Sequence, residues 1–261
     1  MTVICAIPVR LGSKRLRRKH LIEAHGKTFL EWLVLRLVTQ QKVLGANCRY
    51  VIASTIEEEN AILKDIATDL KIDVFFGDSN NIPRRLSQAI DHFDASGVIC
   101  VDGDDIACSP HAVSVVEAGL QKGENYLKTC GLPLGMNVAG FSRIFLNSQL
   151  QNYGLKVLET GWSRIFDDSI VQTVDLVHTV PAAPVDLRFT LDYEEDARFF
   201  KAIINELGVG FLTANDAEIV RCVIEKRLYE LVDGTDSKYW ENFLNQLDQE
   251  DSSAEGSHAR K

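Results

Sequence analysis

The sequence has 261 residues, 46% of them hydrophobic and 25% charged, with a formal net charge of −9. That length allows one large α/β domain or two small ones, and the apolar share is enough for a sizeable core. The acidic balance excludes a general nucleic-acid or anionic-membrane binder, so neither partner is expected.

Val3-Ile4-Cys5-Ala6-Ile7-Pro8 is a short continuous apolar run, the pattern of a strand buried on both faces. A polar loop follows, in which Arg10, Lys14, Arg15, Arg17, Arg18 and Lys19 crowd together. Thr28 is placed to cap a helix that carries Phe29, Leu30, Leu33, Val34 and Leu37 on one face. Residues 50–53 read as the next strand, 57–70 as a helix, and 72–76 as a strand ended by Gly77. Residues 84–92 look helical. Val98-Ile99-Cys100-Val101 is a buried strand that runs into Asp102-Gly103-Asp104-Asp105.

Beyond residue 125 the pattern is less regular. Residues 129–135 and 174–180 read as strands around helix-like stretches, and 188–192 as a strand ending in Asp192. Residues 194–207 form a helix with Phe199, Phe200, Ile203 and Ile204 on its apolar side, and 217–232 a second helix. Residues 248–261 are polar and without periodicity, and are expected to be disordered. The expected organisation is one domain over 1–247, with an acceptor or dimer region at about 130–187. Strands alternating with helices imply a three-layer α/β fold around a mostly parallel sheet, whose ligands bind beyond the carboxyl ends of the strands.

None of the six cysteines forms a C-x-x-C pair, so zinc and redox sites lack support, and Cys5 and Cys100 read as buried thiols. With no run of membrane-spanning length and no signal-type stretch, the cytoplasm is the expected location.

Three polar segments at strand ends could carry chemistry. In the first, Gly12 and Ser13 let the backbone bend around an anion while Arg10, Lys14, Arg15 and Lys19 neutralise its charge. Neither the Walker spacing nor a dinucleotide fingerprint is present, and a solvated basic loop is the bland alternative. In the second, Asp102, Asp104 and Asp105 suit magnesium, which takes hard oxygen ligands and shares its shell with phosphates. The alternative is an ordinary strand-to-helix turn, where Asp and Gly are common. The third is Asp192. The acidic Glu194, Glu195 and Asp196 after it are explained by the positive end of a helix dipole.

Taken in order, I-P-V-R-L-G-S-K-R-L-R-R-K-H-L, V-D-G-D-D and R-F-T-L-D-Y-E-E-D resemble the cytidylyltransferases that activate 3-deoxy-ulosonic and sialic-type sugar acids. The spore-coat-polysaccharide-type branch is the most similar, over about residues 3–205. The resemblance implies a nucleotidyltransferase sheet related to GT-A glycosyltransferases, a homodimer, CTP as substrate and magnesium as cofactor. It matches Arg10 and Lys19 to triphosphate-binding residues, with Pro8, Gly12, Ser13 and Lys14 around them. It matches Asp104 and Asp192 to metal-binding aspartates, and Arg85 and Asp102 to the nucleotide side. Asn137 and Arg164 fall where the family contacts its acceptor. The sequence departs from the family at His20, at Arg17-Arg18, at Asp102, and at Asn137 and Ala139, where carboxylates are usual.

The implied reaction is attack of an acceptor oxygen on the α-phosphorus of CTP with loss of pyrophosphate, Arg10, Lys14 and Lys19 stabilising the leaving group. The resemblance implies a sugar-like acceptor and a setting in cell-surface polysaccharide synthesis; a sugar acid, a sugar phosphate and a phosphonate all remain open. Two alternatives stand beside it. One is a GT-A glycosyltransferase, because Asp102-Gly103-Asp104 fits the D-x-D pattern of that class. The other is a non-catalytic nucleotide-binding protein.

Overall fold

The computed structural model describes residues 2–13, 15–153 and 157–255. In chain order the elements are β1 (Val3–Pro8), β2 (Glu23–Ala24), β3 (Lys27–Thr28), α1 (Phe29–Leu44), β4 (Arg49–Thr55), α2 (Leu63–Leu70), β5 (Asp73–Gly77), α3 (Ile82–His92), β6 (Gly97–Cys100) and α4 (Pro110–Gln121). There follow β7 (Tyr126–Cys130), β8 (Ala139–Ser142), α5 (Arg143–Asn152), β9 (Gln172–Asp175), α6 (Glu194–Leu207), α7 (Asp216–Glu225) and α8 (Thr235–Glu255).

Seven strands form one sheet in the order β5-β4-β1-β6-β8-β7-β9. Only β8 runs against its neighbours, so the sheet is mostly parallel, as the alternation of strands and helices implies. The period-two geometry of β1 divides the core. Val3, Cys5 and Ile7 pack on one face, with α1, α4 and α6, and Ile4 and Ala6 on the other, with α3 and α5. Cys5 and Cys100 are buried, and all six cysteines are free thiols. Thr28 caps α1: its hydroxyl accepts from Glu31 N at 3.2 Å while Glu31 accepts from Thr28 N at 2.6 Å. That reciprocal pair satisfies two otherwise orphan donors.

Four expectations are corrected. Residues 188–192 are not a sheet strand. They lie extended, with Phe189 N donating to Leu134 O at 2.7 Å and Leu191 N to Asp104 O at 2.9 Å. Their backbone partners belong to the turns after β7 and β6, so the alternation reflects burial against those turns. Strand 129–135 ends early, at Cys130, because Gly131 takes φ 83 and turns the chain. The helix expected over 217–232 stops at Glu225: Arg227 at φ 52 redirects it into a short 3-10 turn, which seats Leu228, Tyr229 and Val232 against the core. Lastly, α8 continues through Glu255, into the stretch expected to be disordered. Its polar residues have partners that a sequence cannot show, Glu250 above all; residues 256–261 lie outside the described residues. Among the described residues no helix is long and apolar enough to cross a membrane.

Candidate active site

β1 and β6 are parallel neighbours, with Ala6 opposite Cys100, so the loops leaving their carboxyl ends emerge side by side. Pairing continues past the strands: Val101 N donates to Ala6 O at 3.0 Å and Gly103 N to Pro8 O at 3.1 Å. Only glycine fits at 103, since a β-carbon there would lie 2.5 Å from Pro8 O and 2.7 Å from a Val9 methyl. Gly135 is constrained in the same way, with φ 88 and the Phe189 carbonyl 2.4 Å from where its β-carbon would be. Between these backbones opens a cavity of about 850 Å³.

Lys19 sits at its floor. Its ammonium donates to Asp104 Oδ2 at 2.6 Å and to Asp192 Oδ1 at 3.1 Å, and Arg15 reaches the same Asp192 oxygen at 2.8 Å. Three segments remote in sequence thus meet at one point. Burial works against the charge on Lys19, but the two carboxylates hold its pKa above the usual value. Burial alone would raise the Asp104 carboxyl; Lys19 takes it below the ordinary range. Asp102 goes the other way, pushed up to about 7 by burial and the Asp104 charge. Asp105 is likewise raised by burial, then by Asp104 and Asp102. His20 is pushed down to about 3 by burial and the neighbouring ammonium, and its Nδ1 has no hydrogen-bond partner among the described residues. Asp192 is held in place from behind: Asp196 accepts from the backbone N–H of Asp192 at 2.8 Å and of Tyr193 at 2.9 Å, and is itself paired with the buried Arg188 at 2.5 Å.

A second cationic centre lies along the same cavity. Arg85, on α3, is buried and donates from Nε to Asp78 O at 2.7 Å and from NH2 to Glu159 at 2.8 Å. Arg10 reaches the other Glu159 oxygen at 3.1 Å.

Of the residues singled out by sequence, Pro8, Arg10, Ser13, Lys19, Arg85, Asp102, Asp104, Asn137 and Asp192 all line this cavity. Lys14 lies outside the described residues. Gly12 is not in the wall; a β-carbon on it would meet Glu59 at 2.4 Å. Asn137 donates to Leu132 O at 2.8 Å, and its own carbonyl oxygen is buried without a partner among the described residues. Arg164 is not among the residues that line the cavity, although Glu159 to Ser163 before it are. Its guanidinium binds the Thr160 and Gly161 carbonyls and, on α8, Glu250 at 3.0 Å and Asp251 at 3.2 Å, which explains it as a tie between loop and helix. The two D-x-D aspartates line the same cavity with different partners: Asp102 faces Cys100 and Trp162, whereas Asp104 faces Lys19. Among the described residues, no group of three or more His, Cys, Asp or Glu side chains is arranged to hold a metal.

Sequence reasoning placed the stretch 159–164 at the acceptor but singled out Arg164 rather than Glu159, and it missed the wall contributed by α8. Tyr239, Trp240 and Phe243 line the cavity with centroids 5.2 to 6.2 Å apart, Tyr239 stacked on Phe243 and Trp240 edge-on to both. Three aromatics within five residues of a polar segment were the available signal.

Residues 4–156 match the family model described as cytidylyltransferase. An uncharacterized protein of Methanocaldococcus jannaschii is 27% identical over 143 residues, which are 54% of this chain; the match spans only 57% of that relative's length. A cytidylyltransferase from Leptospira borgpetersenii superposes with a TM-score of 0.74 at 17% identity, over 90% of this chain and 98% of that one. The CMP:2-keto-3-deoxy-manno-octonic acid synthetase complexed with CTP superposes with a TM-score of 0.59 at 13% identity, over 79% and 99%. At these identities the structural likenesses speak to fold.

Proposed function

The chain belongs to the cytidylyltransferase family, and from that premise we propose that it transfers CMP from CTP to a sugar-like acceptor and releases pyrophosphate. The observation that carries this reading is the meeting of Lys19 with Asp104 and Asp192 beside the end of β1. The acceptor oxygen forms a bond to the α-phosphorus; the bond to the bridging oxygen breaks, and its electron pair leaves with pyrophosphate. Arg10, Arg85 and Lys19 contact the phosphates and offset the charge that builds on the leaving group.

Magnesium fits the donor set. Two carboxylates converge within 3.1 Å of a single cationic nitrogen, and magnesium commonly takes one or two carboxylates with the rest of its shell from substrate phosphates and water. Asp104 and Asp192 would hold it, and when bound it would polarise the phosphates. Asn137, with its unpartnered carbonyl oxygen, is suited to receive a hydroxyl of the acceptor. A sugar-acid acceptor, a homodimer and a place in cell-surface polysaccharide synthesis, as in the spore-coat-type branch, complete the proposal.

The test is magnesium-dependent pyrophosphate release from CTP across a panel of sugar acids and sugar phosphates, with UTP, GTP and ATP as controls. Asp104→Asn should lower turnover on the order of a hundredfold or more while leaving the melting transition in place. Near-normal turnover would sink the assignment of Asp104.

A further inference from the structure

Glu159 occupies a position built for an anion. One carboxylate oxygen lies 3.1 Å from Arg10 NH1 and the other 2.8 Å from Arg85 NH2, and these guanidiniums come from different elements, the loop after β1 and helix α3. A bridge of one oxygen to each of two guanidiniums is the arrangement a phosphate would make there. The Glu159 side chain is only 14% exposed. Burial raises its carboxyl above the usual range, opposed by Arg85 and Arg10 and reinforced by Glu250, so its charge is held at a desolvation cost.

The backbone beneath it is fixed. Leu158 N donates to Asn80 O at 2.7 Å, Leu158 O accepts from Ile82 N at 3.0 Å, and the Leu158 side chain is buried. The N–H groups of Glu159 and Thr160 donate to Glu250 of α8 at 3.3 and 2.9 Å. With the main chain pinned on both sides, the carboxylate can leave the arginines by side-chain rotation alone, into the cavity it already lines.

We propose that Glu159 is an internal competitor for the phosphates: it holds the Arg10–Arg85 pair, and a polyphosphate binds by displacing it. This makes Glu159 a specificity-determining residue. A ligand must bring more negative charge to the two guanidiniums than one carboxylate does, which favours a triphosphate over singly charged anions. The inference rests on the nucleotidyltransferase reading above.

Isothermal titration at fixed pH and ionic strength tests it, with magnesium present and CTP, inorganic tripolyphosphate and cytidine as probes. Glu159→Gln, and Glu159→Ala as a second variant should the first fold poorly, are expected to bind CTP and tripolyphosphate about tenfold tighter, the scale of one charge-assisted contact no longer displaced. Cytidine, which lacks phosphate, should bind the variants and the unaltered chain equally. If Glu159 instead only braces the arginines, the variants will bind CTP no better or more weakly; that result overturns the inference and leaves the nucleotidyltransferase reading standing. If neither the unaltered chain nor the variants bind CTP or tripolyphosphate, both fall together.

Discussion

Arg36 shows how far one buried charge reaches. It lies in α1, fully buried, and donates to the carbonyls of Cys108 at 3.3 Å, Phe211 at 3.0 Å and Ala214 at 2.5 Å, and to Asp216 at 3.2 Å. Asp216 in turn accepts from the Ser109 hydroxyl at 2.5 Å. One guanidinium thus joins α1 to the starts of α4 and α7; without it Asp216 would retain the Ser109 hydroxyl and Ala214 O the Gln40 amide, but the Asp216 carboxylate would lose its guanidinium. Arg36→Met should lower unfolding stability by about 3–5 kcal/mol in urea denaturation, because the Asp216 charge stays buried with its partner gone. A loss below about 1 kcal/mol would mean that water replaces the guanidinium. Nothing in the sequence marks Arg36, since one arginine on an apolar helix face looks like a solvated one. Lys19 was legible as part of the basic cluster that follows β1, and Asp104 and Asp192 because they stand at the ends of apolar runs; the resemblance supplied their roles. Arg10 and Arg85 were legible through resemblance, whereas their partner Glu159 was not, because its role depends on arginines 149 and 74 residues away.

Secondary structure was legible where it is locally determined and illegible where distant backbone supplies the partner. β1, β4, β5 and β6 are apolar runs bounded by polar turns, and α1 carries its own capping box. β8 is four residues including a glycine, and becomes a strand only because β6 and β7 pair with it on both sides. α8 is the larger lesson. Its last turns look unstructured, yet Glu250 accepts two backbone N–H groups from the loop at 159–160 and pairs with Arg164. Truncation after Leu247 removes Glu250 and leaves those donors and the Arg164 charge without their partner. The shortened chain should lose about 1–3 kcal/mol of stability, and the 157–164 loop should become open to limited proteolysis. An unchanged cleavage pattern would mean that the rest of α8 holds the loop by itself.

Across the whole molecule the charges argue for how the nucleotide must arrive. The net charge is −9, and the cations of the cavity are already matched: Arg10 and Arg85 by Glu159, Arg15 and Lys19 by Asp104 and Asp192. Arg10, Arg15 and Lys19, the members of the basic loop that line the cavity, are therefore not free cations, and Glu250 adds a further carboxylate to the walls. A bare triphosphate entering this cavity meets carboxylates as well as cations, so its affinity should depend on a divalent ion that neutralises part of both. One seven-stranded sheet also runs through the structure, with a core on each face, so the nucleotide's effect should be felt by the whole. In calorimetry the chain should unfold in one transition, and CTP with magnesium at a hundred times its Kd should stabilise it by about 2.7 kcal/mol. Chelation of magnesium should remove most of that gain. Two separated transitions, only one of them moved by CTP, would contradict a single cooperative unit, and full stabilisation by CTP in EDTA would contradict the charge argument.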